Sequence, residues 1–288
     1  MPTTPSVVIT GASTGIGWGT TKVLIGKGMQ VFGSVRKQAD ADRLQSEFGA
    51  AFVPLLMDVT DEASVRKAAE QVTSSLSGGT LAGLVNNAGI AVGGPLLHLA
   101  ASEMRRQLEV NLVGPLVVTQ AFAPLLGADR KQAGKPGRIV NISSVVGKAG
   151  IPFLGAYVAS KHALEGFSES LRRELLLYGI DVIVIGPGSV VTPIWDKAER
   201  EDYSAFAKTE YAPIIERFSR YMLENGRKGL TPERIGETVY TALTAAKPRT
   251  RYAVVPQRFM NWTLPRLLPA RVLDKLMGKN FGLLAPQR

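Results

Sequence analysis

The sequence predicts a doubly wound α/β fold, a parallel sheet with helices on both faces. Three observations lead there. From Ser6 to Gly188, strand-like apolar runs alternate with helical stretches, the pattern of a parallel sheet covered on both sides. The first of these runs ends in a glycine-rich turn close to the N-terminus. No linker cuts the chain and no internal repeat is present, so its 288 residues, 45% of them hydrophobic, read as one domain with ample core.

The elements follow in order. "SVVIT" is a short β-branched run that stops at Gly11, and "GWGTTKVLIGKG" reads as the first helix. "MQVFGSV" is the second strand and "AFVPLLMDV" the third. "DEASVRKAAEQVTSSL" is a helix, with Asp61 and Glu62 at its start, where acids suit the helix dipole. "LAGLVNNAG" is the fourth strand, and Asn86 is expected to tie strands together. "SEMRRQLEVNLVGPLVVTQAFAPLL" reads as one long helical stretch. "GADRKQAGKPGR" is a basic, glycine-rich connection before the strand "GRIVNISS", and "IDVIVIGPG" is the sixth strand.

Between those last two strands lies "YVASK", residues 157–161. The text after it, "HALEGFSESLRRELLLYG", carries Leu164, Phe167, Leu171 and Leu175 at helical spacing, and Gly179 stops it. On that helix Tyr157 and Lys161, at i and i+4, share a face. A phenol titrates near pH 10 and is a poor acid or base at neutrality, whereas a neighbouring ammonium favours the phenolate. By spacing alone the pair is either a catalytic acid/base or surface decoration. "TGASTGIG", residues 10–17, brackets a strand-to-helix turn with Gly11, Gly15 and Gly17. Such a turn serves either tight packing or the approach of a pyrophosphate to helix N-terminal amides, and its place as first βα turn favours the phosphate. At the end of the second strand, Val35 stands where an NAD site carries a carboxylate, and Arg36 and Lys37 follow. An arginine suits a 2′-phosphate, which points to NADP, with NAD as the alternative.

Taken together, "TGASTGIG", "DV" (Asp58 and Val59), "NNAG" (Asn86 to Gly89), Asn111, "NISS", "YVASK" and "PG" followed by Thr192 resemble the short-chain dehydrogenase/reductase family over about residues 5–195. The resemblance implies a single Rossmann-type domain over 1–288, with a core at 5–195, a substrate lid at 196–230 and a C-terminal helix, strand and basic tail at 231–288. It implies that Ser13 and Ile16 meet the cofactor's phosphates. Asp58 would bond the adenine amine with Val59 beside the ring, and Asn87, Ala88 and Gly89 would line the ribose. Tyr157 would be the proton donor and acceptor, and Lys161 would bind the nicotinamide ribose and lower the Tyr157 pKa. Ser144 would hold the substrate oxygen and Asn111 would anchor a water in a proton relay. Pro187, Gly188, Val190 and Thr192 would meet the nicotinamide end.

Ser143 reads as a strand-end hydrogen-bonding residue, His162 faces elsewhere on its helix, and His98 has no visible partner. The segment after Thr192 is rich in aromatics, among them Trp195, Tyr203, Phe206, Tyr211, Phe218 and Tyr221. These either close over a bulky apolar substrate or pack a helical hairpin onto the core, and both readings can hold. "ALTAAKPRTRY" resembles the retinol and 17β-hydroxysteroid dehydrogenase branch, which implies a lipophilic alcohol or carbonyl: a steroid, a retinoid or a long-chain carbonyl. The end, "RFMNWTLPRLLPARVLDKLMGKNFGLL", mixes apolar and basic residues. It suits an anionic membrane surface, or else docks on the core or a neighbouring subunit, and Pro265 and Pro269 break any long helix in it.

Composition bounds the rest. There is no cysteine, hence no disulfide, thiolate metal site or cysteine nucleophile, and two histidines make a His-rich metal site unexpected. No secretory signal pattern and no long apolar run is found, so a cytoplasmic protein is expected. The net charge of +10 suits an anionic partner such as a phosphorylated cofactor. No basic stripe with interleaved aromatics supports nucleic acid. A hydrolase would need G-x-S-x-G, which is absent. An epimerase or dehydratase relative fits poorly in glycine spacing and length. A cofactor-binding regulatory protein without turnover would not need Asn111, Ser144, Tyr157 and Lys161 together. The resemblance implies a homodimer or homotetramer.

Overall fold

The apolar runs are strands, and every pairing is parallel. The computed structural model describes residues 4–285. Its strands are β1 (Ser6–Ile9), β2 (Gln30–Val35), β3 (Phe52–Leu56), β4 (Gly83–Asn86), β5 (Arg138–Ile142), β6 (Asp181–Pro187) and β7 (Arg251–Val254). They form one sheet in the order β3-β2-β1-β4-β5-β6-β7. The order reverses between β1 and β4, whose neighbours in sequence lie on opposite sides. A crevice opens there beyond the carboxyl ends of the strands, the place where such sheets take ligands.

Alternation along each strand sends side chains to two cores. Val7 and Ile9 of β1 join Val31, Val85, Val140 and Ile183 on one face. Helices α1 (Gly15–Gly26) and α2 (Gln38–Phe48) bring Leu24 and Leu44 to that side. Val8, Phe32, Leu84, Ile139 and Val182 point the other way, where α3 (Glu62–Leu76) adds Val65 and Val72. Full burial of a Val, Leu or Phe of this kind contributes about 1.5–3 kcal/mol. Asp61 caps α3 by accepting from the Ala63 N–H at 3.0 Å, as its position in the sequence suggests. Asn86 and Asn141 join β4 to β5 through a buried 2.9 Å bond, so Asn86 does tie strands together.

Three local features differ from the sequence reading. Helix α2 was not legible: "QADADRLQSEF" is polar and buries only Ala41 and Leu44. The stretch 102–126 is not one helix. It runs as α4 (Ala101–Leu108), a π turn (Glu109–Val113), α5 (Gly114–Phe122) and a 3₁₀ turn (Pro124–Leu126). The cause is Pro115, which has no N–H to give the Asn111 carbonyl, the bond a continuous α-helix needs. Gly179, in the left-handed region at φ 69°, ends a 3₁₀ turn that follows α6 (Gly155–Glu174) rather than α6 itself.

Past β6 come α7 (Ile194–Glu199), α8 (Ala212–Gly226), α9 (Pro232–Thr244), α10 (Leu264–Leu267) and α11 (Ala270–Phe281). Phe206, Ile215, Phe218 and Phe281 form a small third core with Phe153. The tail helices break at Leu268 and Pro269, where Leu268 takes the extended conformation that a following proline enforces. No helix among the described residues is long and apolar enough to cross a membrane.

Candidate active site

The glycine turn sits at the carboxyl end of β1. Gly11 and Gly15 have φ of 68° and 58°, a region closed to most side chains. A Cβ on Gly17 would overlap the Gly11 carbonyl and stand 2.6 Å from the Asn87 amide nitrogen. Thr14, the N-cap of α1, makes no side-chain bond to the helix, and the first turn holds no acid. The first amides of α1 are therefore left for an anion. Ile16 packs its side chain against the core. The Ser13 carbonyl accepts from Arg43 of α2 at 2.6 Å, so the second helix braces the turn.

The "NNAG" segment is stitched to the same turn. Thr10 Oγ1 accepts from the Asn87 and Ala88 N–H groups, both at 2.9 Å. The Asn87 amide donates to the carbonyls of Thr10 and Gly11 at 2.9 and 3.0 Å. A Cβ on Gly89 would come 3.2 Å from Asn111 Oδ1. These bonds and bare backbones make a narrow cradle that fits a dinucleotide. Asp58, at the end of β3, accepts from the Thr60 N–H and hydroxyl at 3.0 and 2.7 Å. Burial works against its charge, but the Thr60 bonds and Arg36 outweigh it and hold the carboxyl below its usual range. Arg36 is 73% exposed, 4.0 Å from Asp58 Oδ2, and so free to meet a ligand. Val59 is buried beneath Gly114 at the start of α5.

Ser144, Tyr157 and Lys161 converge beside this cradle. Ser144 follows β5 and is buried; its hydroxyl accepts from the Val146 N–H at 3.3 Å and donates to the Pro187 carbonyl at 3.4 Å. Tyr157 faces it from the first turn of α6. Burial pushes the Tyr157 phenol up, and the hydrogen bond with Ser144 only partly offsets that. Lys161 lies one turn on, its ammonium 5.7 Å from the Tyr157 ring centre and donating to the Ile142 carbonyl at 2.8 Å. Burial brings the Lys161 ammonium down to about 8, with Glu165 working against the fall. Lys161 does not figure in that balance at Tyr157. The lysine turns toward a backbone carbonyl, and burial governs the phenol.

Asn111 stands in the π turn with its side chain fully engaged. Oδ1 accepts from the Ile90 N–H at 2.9 Å, and Nδ2 donates to the Ile90 carbonyl and the Ser160 hydroxyl at 3.0 and 3.1 Å. Pro115 leaves the Asn111 backbone carbonyl without its α-helical partner. Gly188 donates to the Val254 carbonyl at 3.0 Å. Val190 is buried, and Thr192 packs over Gly15, which closes the crevice from the β6 side.

Other assignments sort themselves by geometry. Ser143 hydrogen-bonds at the strand end through its backbone, its N–H donating to the Ile185 carbonyl at 2.7 Å, while its hydroxyl is buried with no partner among the described residues. His162 is exposed and turned to its own helix at Val158. His98 has a partner after all, an edge-on contact with Tyr211 at 5.8 Å.

Sequence reasoning missed two residues here. Gln107, fully buried, holds the Val92 N–H and the Ile90 carbonyl, both at 2.8 Å, and so fixes the loop after "NNAG". A glutamine in a helix gives no sequence signal for that. Phe153 sits four residues before Tyr157 at φ 62°, a strained conformation for an aromatic that costs about 1–3 kcal/mol. Its ring is held edge-on by Tyr211 at 5.9 Å and Phe218 at 5.3 Å. Phe153, Tyr203, Phe206, Tyr211 and Phe218 thus pack on one another in the third core, while Tyr221 stays half exposed.

Comparison with known proteins agrees with this geometry. A model of the short chain dehydrogenase family matches residues 5–203. The chain is 38% identical over 280 residues to the NADPH-dependent 3-dehydrocapnine reductase of Ornithobacterium rhinotracheale, covering 97% of this chain and 98% of that protein. It is 34% identical to retinol dehydrogenase 5 of Mus musculus, covering 94% and 87% of the two chains. Among solved structures, a short-chain dehydrogenase from Streptomyces avermitilis superposes with a TM-score of 0.76 at 25% identity, over 97% of each chain. With its glycine cradle and its serine, tyrosine and lysine in one crevice, the chain belongs to the short-chain dehydrogenase family.

Proposed function

We propose that the protein interconverts a carbonyl and an alcohol on a lipophilic substrate, using NADP(H) as hydride carrier and Tyr157 as acid/base. The observation that carries this is the meeting of the Ser144 and Tyr157 hydroxyls beside the dinucleotide cradle. Bound there, the nicotinamide supplies or accepts the hydride. The protein's part is position and charge. The Val146 N–H polarises the Ser144 hydroxyl, which makes it a better donor to a substrate oxygen. Tyr157 gives that oxygen its proton as charge develops. Burial keeps the phenol protonated at neutral pH, so the proton is in place when a carbonyl is reduced. Asn111 would anchor, through its backbone carbonyl, a water that returns the proton.

Arg36 at the end of β2, with Val35 where a carboxylate would stand, supports NADP(H) over NAD(H). The relative from Ornithobacterium, named as NADPH-dependent, points the same way. Arg36→Asp is expected to weaken NADPH binding by about 10–100-fold, the worth of a charge-assisted contact, and to leave NADH the better ligand. A fluorescence titration with both cofactors reads this. Equal NADPH and NADH binding that ignores Arg36 would move the assignment to NAD(H). Phe206 and Phe218 in the lid, and the likeness to retinol dehydrogenase 5, support a lipophilic substrate. A screen of 2-decanone, retinaldehyde and a steroid 17-ketone with NADPH tests it. Binding without turnover on any carbonyl would favour a silent cofactor-binding protein.

The tail supports a second assignment, contact with an anionic membrane surface. Phe259, Met260 and Leu267 are 63%, 54% and 71% exposed and recur at helical spacing. Residues 258–285 carry Arg258, Arg266, Arg271, Lys275 and Lys279 against the single acid Asp274. Apolar side chains among cations suit an anionic interface, which would also deliver a lipophilic substrate beside the lid. The protein is expected to sediment with vesicles of phosphatidylcholine and phosphatidylglycerol but not with phosphatidylcholine alone. Replacing all three exposed residues with serine should abolish sedimentation. A wild type that stays in solution with both vesicles, or that buries this face in a dimer, would sink the assignment.

A further inference from the structure

Behind the reacting groups lies an ion pair that the mechanism above does not use. Glu165, on α6 one turn past Lys161, is 3% exposed. Arg251, the first residue of β7, grips it from the sheet edge. Its Nε donates at 2.9 and 3.1 Å to the two carboxylate oxygens, and its Nη2 donates to Oε1 at 2.9 Å. The same Nη2 donates to the Ser144 carbonyl at 3.2 Å. Space for the pair is made by two bare backbones. A Cβ on Gly186 would overlap the Arg251 guanidinium, and one on Gly147 would stand 3.0 Å from Glu165 Oε1.

The pair is clamped from the far side by the tail. The Arg251 guanidinium carbon lies 4.3 Å from the ring centre of buried Trp262, and that of Arg266 lies 4.5 Å from the same ring. A buried ion pair is weak evidence for stability, since desolvation consumes most of the attraction. Its placement says more. One end touches the backbone of the serine that faces the substrate oxygen, and the other stands one helical turn from the lysine.

We infer that Glu165 and Arg251 are positioning residues for this reaction, fixing Ser144 from behind and setting the charge of Lys161, and that the C-terminal tail acts on the site through Trp262. This rests on the assignment of Ser144, Tyr157 and Lys161 given above.

The charged groups around the pair are few. Lys161 and Glu169 share α6 with Glu165. Lys148, in the turn after β5, lies 3.6 Å from Glu165 and 3.8 Å from Glu169. Arg251 comes from β7, and Arg266 from α10 behind Trp262. Lys161 itself faces Tyr157, Glu165 and the Ile142 carbonyl. Glu165 is thus the carboxylate that sustains the Lys161 ammonium against burial. Arg251 and Lys148 decide how much of that negative charge the lysine feels.

The test is an NMR titration of ¹³Cε-labelled lysine in the full-length protein without cofactor, the Lys161 signal being assigned by its loss in Lys161→Met. In Glu165→Gln the Lys161 midpoint is expected to fall by about one pH unit, and in Glu165→Asp to recover part of the way. Arg251→Leu should raise it, because a cation leaves the carboxylate. Trp262→Ala should raise it less, by releasing that cation, and keeps the proposal testable if Arg251→Leu does not fold. A Lys161 midpoint unmoved in folded Glu165→Gln would overturn the role of the pair. A midpoint unmoved in Trp262→Ala would overturn the link to the tail. The titration needs neither cofactor nor substrate, so its failure is distinct from a failure of the proposed oxidoreductase reaction, which NADPH binding and turnover judge.

Discussion

Tyr157→Phe is expected to lower kcat by about 10²–10⁴-fold, the usual share of a positioned acid/base, with NADPH binding changed little. The substitution removes one oxygen and leaves the ring, so packing in the first turn of α6 is kept. What is lost is the proton that burial holds on the phenol and the partner of the Ser144 hydroxyl. Ser144 keeps its bonds to the Val146 N–H and the Pro187 carbonyl, so the serine stays in place. The loss therefore belongs to the chemical step and not to a collapsed site. Stopped-flow reduction of whichever screened ketone the wild type accepts, with NADPH at saturation, separates the two. A variant that reduces the ketone within a few-fold of wild type would remove Tyr157 from the reaction. A variant that fails to bind NADPH would show that the ring, rather than its hydroxyl, carries the site.

What could be read from the sequence was whatever depends on local chemistry. Gly11 and Gly15 signal the turn because their positive φ excludes most side chains, and Gly17 because a side chain would strike the Gly11 carbonyl. Tyr157 and Lys161 signal a shared face because a helix imposes it. Asp61 signals a cap in the same way. What stayed hidden depends on register and on distance in the fold. Arg251 meets Glu165 across 86 positions of sequence, and only the pairing of β6 with β7 brings them together. The left-handed Phe153 packs against Tyr211 and Phe218, which come from far along the chain. The break in the helix around Asn111 was within reach, since Pro115 stands four residues on and denies it a bond. The polar helix α2 was not, because only Ala41 and Leu44 mark its buried face.

Gly17→Ala should weaken NADPH binding by about 5–150-fold, the equivalent of about 1–3 kcal/mol of overpacking strain. The new methyl would overlap the Gly11 carbonyl and press on the Asn87 amide from 2.6 Å. That amide cannot swing aside cheaply, because it is bonded to the carbonyls of both Thr10 and Gly11. The strain must then open the turn itself, and the turn is what would present the first amides of α1 to a phosphate. Gly26→Ala in the same helix is the matched control. Nothing lies within 4 Å of its new Cβ, and its φ is not positive, so it is expected to be neutral or to stabilise by about 0.5–1 kcal/mol. Isothermal titration with NADPH and thermal unfolding of both variants distinguish a cradle from ordinary packing. Should Gly17→Ala lose stability but bind NADPH as wild type does, the glycine serves strand-to-helix packing and the phosphates are held elsewhere. Loss of affinity that exceeds the loss of stability, with Gly26→Ala unaffected, places the phosphates at the turn.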